Sequence, residues 1–171
     1  ILHFNSWWFN LFLVRRKKKG KSKFRRKIVA IAQKEYKDWD DGKLKETSST
    51  AYDKIKKYWD SIGWSEGRWT PSSVAWSSAF ISYVMREAKA EDKFKYSSSH
   101  SSYIVDAIKN RKTDNDNPFK AYRLNEKKVQ VGDLVCYTRQ SGVDYDTTNR
   151  YKSHCDIVVK VDNNKADVIG G

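Results

Sequence analysis

The sequence predicts an α+β fold, in which N-terminal helices pack on a small antiparallel sheet built from the last third of the chain. Apolar residues recur at helical spacing through the first two-thirds, and with a period of two after about residue 118. Strands and helices do not alternate along the sequence as they do in parallel sheets. A chain of 171 residues can bury a core without disulfides or metal.

Four segments have helical patterns. The first spans residues 24–39 and ends at "DDG". The second follows "TSST" and ends at Gly63, which suits a helix C-terminus. The third spans 72–89 and begins after a proline with two serines that can cap it. The fourth is "YSSSHSSYIVDAI".

Four segments then have the pattern of strands. These are "FKAYRL", "VGDLVCYT", "HCDIVVKV" and "KADVIG", of which the last two pair across an "NN" turn. A polar loop, residues 139–153, joins the second strand to the third. Loops at the end of a sheet commonly present functional side chains, so we expect a site there.

The net charge of +13 comes mainly from one run. Residues 15–27 contain ten Lys and Arg and no acid, which leaves 24 basic and 21 acidic residues elsewhere. The preceding "ILHFNSWWFNLFLV" is too short to span a bilayer. It is also unlike a signal peptide, in which the positive charges come before the apolar region and not after it. We therefore divide the chain into an apolar and basic extension or linker, residues 1–23, and one domain, residues 24–171.

Three interpretations of residues 1–23 remain open. They are a connector from an upstream region that packs on the domain, an anchor on an anionic membrane surface through residues 15–27, or a nucleic-acid-binding arm. Nucleic acid is the least favoured, because no motif that reads bases accompanies the charge. We expect these residues to pack poorly on the domain, since most are charged or polar.

Candidate catalytic residues are few. The two cysteines lack metal-site spacing, so no metal or other cofactor is predicted. His154 opens a strand directly after the polar loop, and Cys155 must point to the opposite face, which argues against a His154–Cys155 pair. Asp156 shares the face of His154, where it either orients the ring or is simply solvated. Ser77 lies within the apolar face of the third helix, where a hydroxyl is unexpected.

The order of "WSSAFISYVM", "VGDLVCYT" and "SHCDIVVKV" resembles the papain-like cell-wall hydrolase superfamily of CHAP and NlpC-type amidases and peptidases. The likeness is strongest to an uncharacterised bacterial branch with the motifs W-S-x-A-F-I-S, Y-S-x-x-H, G-D-L-V-C and S-H-C-D-I-V-V. It covers residues 24–171 and implies a papain-like arrangement of helices on the sheet.

The resemblance also implies site residues. Ser77 stands where the superfamily has its nucleophilic cysteine, and His154 stands at the position of the base. The orienting residue usually lies on the following strand, which here ends at Gly171, so it is either beyond that residue or is supplied by Asp167 or Asp156. Substrate contacts are assigned to three further residues: Trp76, His100 and Arg139.

Ser77 itself has three interpretations. It is a natural serine nucleophile, an engineered replacement of a cysteine, or a small packing residue whose hydroxyl bonds back to its own helix. A serine nucleophile needs its base to remove the proton during attack, whereas a cysteine at a helix N-terminus ionises readily.

Two functions follow from the resemblance. The first is an amidase or endopeptidase acting on peptidoglycan or its peptide stems, as a lysin or a secreted antibacterial toxin domain, with an inhibitory immunity protein as a candidate partner. The alternative is a catalytically silent binding module for cell wall, membrane surface or a protein. The first implies a secreted or periplasmic site of action. A bridge between Cys136 and Cys155 would support that location, whereas two separate buried thiols would not.

Overall fold

The structure of the protein, a computed structural model, describes residues 2–4, 11–16, 21–65, 67–71, 73–163 and 165–171. The helices are α1 (Lys21–Asp38), α2 (Tyr52–Asp60), α3 (Ser77–Glu87) and α4 (His100–Lys112), with short 3₁₀ turns at Ser49–Ala51 and Glu91–Lys93. The strands are β1 (Leu2–Phe4), β2 (Leu11–Arg16), β3 (Phe119–Arg123), β4 (Leu134–Thr138), β5 (Ser153–Asp162) and β6 (Lys165–Ile169). None of the helices in these ranges is long and apolar enough to cross a membrane.

The described strands form one antiparallel sheet in the order β1-β6-β5-β4-β2-β3. The predicted α+β class is therefore confirmed. The four strands predicted from period-two patterns are all present as β3 to β6, and β5 pairs with β6 as the "NN" turn predicts.

The N-terminal region differs from its prediction. The expectation that residues 1–23 pack poorly is wrong for β2, which lies inside the sheet and pairs with both β3 and β4. Phe12, Leu13 and Val14 are buried, because an interior strand presents apolar side chains to both faces of a covered sheet. Trp7, Trp8 and the other residues of 5–10 lie outside the described residues.

The two faces of β2 pack in different clusters. Phe12 and Val14 belong to the main core, which also contains buried residues of all four helices, whereas Leu13 belongs to a smaller cluster with Val135 and Val158. This division follows from the alternation of side chains along a strand. The sheet is therefore apolar on both faces around β2.

A buried ion pair attaches β2 to the turn before β4. Arg15 donates from Nε to Asp133 Oδ1 at 2.9 Å and from Nη2 to Oδ2 at 2.7 Å. Asp133 is fully buried and also accepts from the backbone N–H of Gln130 at 2.8 Å. Its carboxylate thus closes the turn of the "GDLV" motif and fixes the N-terminal strand.

The two cysteines form a disulfide. Cys136 on β4 and Cys155 on β5 are directly opposite in the antiparallel register, with Cα atoms 4.1 Å apart. Of the two alternatives that the sequence left open, the bridge is the one present. It joins the two strands at the residue next to His154.

Candidate active site

Three chain segments begin at the same place in the molecule. The first residue of α3 is Ser77, the first residue of α4 is His100, and the second residue of β5 is His154. The prediction that the third helix begins near residue 72 is wrong: residues 73–76 are not helical, and Ser73 Oγ accepts from Thr70 N at 2.8 Å. Ser77 is consequently the first helical residue, not a residue one turn inside.

The structure brings Ser77 and His154 together. Ser77 Oγ lies 3.3 Å from His154 Nδ1, and each residue is 7% exposed. The hydroxyl at the start of α3 thus faces the first residues of β5. A nucleophile-and-base pair requires this kind of direct contact.

The other ring nitrogen of His154 contacts Asp156. His154 Nε2 lies 3.0 Å from Asp156 Oδ1, and the carboxylate is buried. Of the two carboxylates considered as the orienting residue, Asp156 is therefore the one at the site. Asp167 is not there: it pairs with Lys160 on β5, six residues from His154, which is roughly 20 Å along a strand.

His100 also contacts Ser77, next to His154. Its Nε2 lies 3.0 Å from Ser77 Oγ, and its ring centre lies 4.9 Å from that of His154. Its Nδ1 contacts the hydroxyl of Tyr103, one turn further along α4. Burial is the main cause that lowers the pKa of His100 to about 3, and the proximity of His154 and Arg139 acts in the same direction. The imidazole is therefore neutral near pH 7.

From the sequence, His100 was assigned to substrate contact. Its contact with the Ser77 hydroxyl was not predicted. The spacing of His100 and Tyr103, three residues apart, places both on one side of a helix. That spacing is the signal that could have indicated the pair.

A cavity of about 620 Å³ opens over the two histidines. Its lining includes Ser77, His100 and His154, together with three cations of the polar loop region: Arg139, Arg150 and Lys152. Arg139 is exposed, and its Nη2 donates to Tyr137 OH at 3.3 Å. Within the described part of the chain, Glu46 is the one side-chain carboxylate in this lining. The cavity therefore favours an anionic group beside Ser77.

A second cavity of about 530 Å³ adjoins the first. It is lined by the aromatic rings of Tyr36, Trp39, Trp76 and Phe80 and by the carboxylates of Glu35, Glu46 and Asp156. Trp76 stacks on Trp39 with ring centres 4.8 Å apart, and its Nε1 donates to Glu46 Oε2 at 2.8 Å. Trp76 and His154 line both cavities, so a chain-like ligand lying across the site would contact both.

All three residues assigned to substrate contact border this two-part cleft: Trp76, His100 and Arg139. In the described residues, no group of three or more His, Cys, Asp or Glu side chains is placed to hold a metal ion. The site instead contains a row of side chains in contact: His100 touches Ser77, Ser77 touches His154, and His154 touches Asp156.

Comparison with known proteins identifies one family. The family model described as "Uncharacterized protein conserved in bacteria (DUF2272)" matches residues 33–171, a range that includes Ser77, His100, His154 and Asp156. No curated protein and no solved structure matches the chain. The match covers most of the chain, from the middle of α1 to its last residue. The chain therefore belongs to this family of uncharacterised bacterial proteins.

Proposed function

We propose that the chain is a papain-like hydrolase that cleaves an amide bond in the peptide part of bacterial peptidoglycan. Ser77 is the nucleophile, His154 the general base and then acid, and Asp156 the residue that orients the base. The observation that carries the proposal is the continuous contact from Ser77 Oγ through the ring of His154 to Asp156 at the floor of an open cleft.

The contacts define the acyl-transfer steps. The Asp156 carboxylate accepts from His154 Nε2–H, which leaves Nδ1 bare to take the proton of Ser77. Oγ then forms a bond to the substrate's carbonyl carbon, and the carbonyl π electrons move to its oxygen. When the C–N bond breaks, the leaving amine takes the proton from His154 Nδ1. Water repeats the sequence on the acyl-enzyme ester and releases Ser77.

The start of α3 suits the negative charge that develops during attack. The bond from Phe80 N to Trp76 O, 2.9 Å long, is the first of the helix, so the helix uses no N–H of residues 77–79 for its own bonds. Those N–H groups and the positive end of the helix dipole lie beside Oγ. A carbonyl oxygen held there is stabilised as it becomes an oxyanion.

The charge of the cleft supports a substrate that carries a carboxylate. Arg139, Arg150 and Lys152 line the cavity that contains Ser77, whereas the adjoining cavity is aromatic and acidic. Peptide stems with free carboxylates fit such a surface, and the resemblance to cell-wall amidases supports the same class. Replacing Arg139 with Gln should raise KM several-fold and leave kcat nearly unchanged, because the side chain contacts no reacting atom.

Two assays test the proposal, one for the reactivity of Ser77 and one for cleavage of peptidoglycan, and either can be negative without the other. In the first, a fluorophosphonate probe, which labels activated serines, should modify the chain once, and peptide mass spectrometry should place the label on Ser77. In the second, the chain should release soluble peptide fragments with new amino groups from purified peptidoglycan. Ser77→Ala should abolish both signals.

Ser82→Ala is the matched control. Ser82 is a buried serine on the same helix whose hydroxyl bonds to Ser97 O at 3.1 Å, away from the histidines. It should keep both activities. Wild-type labelling at Ser77 without fragment release would reject the substrate class only. No labelling, together with tight binding of intact peptidoglycan, would reject the enzyme and support the silent binding module.

A further inference from the structure

The direction of each hydrogen bond in the site follows from the carboxylate at one end. Asp156, when ionised, can only accept, so His154 must carry its proton on Nε2. The Nδ1 of a neutral His154 can then only accept, and the hydrogen in its contact with Ser77 Oγ must come from the hydroxyl.

The same reasoning extends to His100. The Ser77 hydroxyl has one hydrogen, which is directed at His154, so the 3.0 Å contact between Oγ and His100 Nε2 requires the imidazole to donate. A neutral imidazole with its proton on Nε2 has a bare Nδ1. The Tyr103 hydroxyl contacts that Nδ1 and must donate to it.

The surroundings of His100 agree with this tautomer. Burial raises the pKa of Tyr103, which keeps its hydroxyl protonated. His154 and Arg139 face His100 and disfavour a second positive charge.

We propose that His100 is a second catalytic histidine, whose Nε2–H binds Ser77 Oγ at rest and the substrate's oxyanion during attack. The proposal rests on the proposed function of Ser77. In the tetrahedral intermediate, Oγ and the oxyanion are bonded to the same carbon, so a donor 3.0 Å from Oγ is within reach of both. His154 moves protons, whereas His100 donates one hydrogen bond without releasing its proton.

The first test needs no substrate. Two-bond ¹H–¹⁵N correlation spectra of ¹⁵N-histidine-labelled protein, assigned with His100→Gln and with a His154→Gln variant, report which ring nitrogen carries the proton. We expect His100 to hold its proton on Nε2 wherever His154 is neutral, and to remain uncharged from pH 8 to pH 5. A proton on Nδ1 under those conditions, or a titration of His100 near pH 6.5, would overturn the proposal.

The second test separates catalysis from packing. His100→Ala should lower kcat about 10²-fold or more with little change in KM, the size of effect typical of losing one oxyanion donor. His100→Gln places an amide N–H near the position of Nε2 and should recover a substantial part of kcat. Equal losses in the two variants with intact thermal unfolding, or a change confined to KM, would reject the catalytic role.

Failure of the two proposals can be told apart. If Ser77 is never labelled and no fragment is released, the proposed function fails, and the spectra still decide the tautomer of His100. If Ser77 is labelled and His100→Ala reacts as fast as wild type, the role of His100 fails alone.

Discussion

The carboxylate of Asp156 occupies the space that a side chain at Gly170 would need. A Cβ atom added to Gly170 would lie 1.9 Å from Asp156 Oδ1 and 3.3 Å from His154 Nε2. The backbone of Gly170 is not in the left-handed region, so alanine is disfavoured there by this contact and not by its own conformation. Gly170, which directly follows β6, thus contributes to the site by having no side chain.

Gly170→Ala should reduce the labelling of Ser77 by a fluorophosphonate probe at least tenfold. The methyl group pushes Asp156 away from His154, which leaves the base without its orienting carboxylate. In an Asp156→Ala background the space is free, so adding Gly170→Ala should change the rate little further. Additive losses in the double variant would show that Gly170 acts by another route.

The disulfide predicts the behaviour of the thiols and a large contribution to stability. Titration under denaturing, non-reducing conditions should find no free thiol, and two per chain would refute the bridge. Closing a loop across 19 residues restricts the unfolded chain, so the Cys136→Ala/Cys155→Ala variant should lose about 3 kcal/mol of unfolding free energy. Urea titration with and without reductant measures this difference, and the double variant should not respond to reductant.

The interior position of β2 predicts that N-terminal residues are essential for folding. Leu13→Ala should cost about 2–5 kcal/mol in urea unfolding, since Leu13 is fully buried in the cluster on one face of the sheet. Val161→Ala, at a strand residue 39% exposed, should cost about 0.5 kcal/mol or less. Equal effects of the two substitutions would mean that β2 is not held in the sheet in solution.

Buried, neutral His100 predicts a loss of stability in acid. Its pKa is about 3 in the folded protein and near 6.5 when unfolded, so between these values the unfolded state binds more protons. The unfolding free energy should therefore fall as pH drops from 6.5 towards 3, with His100 contributing up to about 1.4 kcal/mol per pH unit. His100→Gln should flatten this slope, and an unchanged slope would show that other groups cause it.

Local patterns in the sequence were enough to predict strands β3 to β6, because each alternates over several residues and is bounded by turn residues. The likeness of two motifs was enough to select Ser77 and His154, which the fold brings into contact. The start of α3 was placed too early because Ser73 has the composition of a cap but forms a turn with Thr70.

Two features of the structure could not be predicted from any short stretch of the sequence. The strand β2 follows a mixed apolar stretch and runs into the basic run, and its partners lie more than 100 residues away, so local composition suggested a linker. The contact between His100 and Ser77 depends on how two helix starts meet. Spacing along one chain segment could pair His100 with Tyr103 but not with a residue on another helix.

The interior position of β2 also constrains when the sheet can form during synthesis. Val14 pairs with Leu134 and Ala121, so β2 is completed by strands made 107 to 120 residues later. At about 5–20 residues per second, a ribosome needs roughly 5 to 25 seconds to supply both partners. During that interval the backbone N–H and C=O groups on both edges of β2 lack their native partner strands, β3 and β4. Contacts of such long range also favour slow folding after release, so the site at the starts of α3, α4 and β5 is completed late.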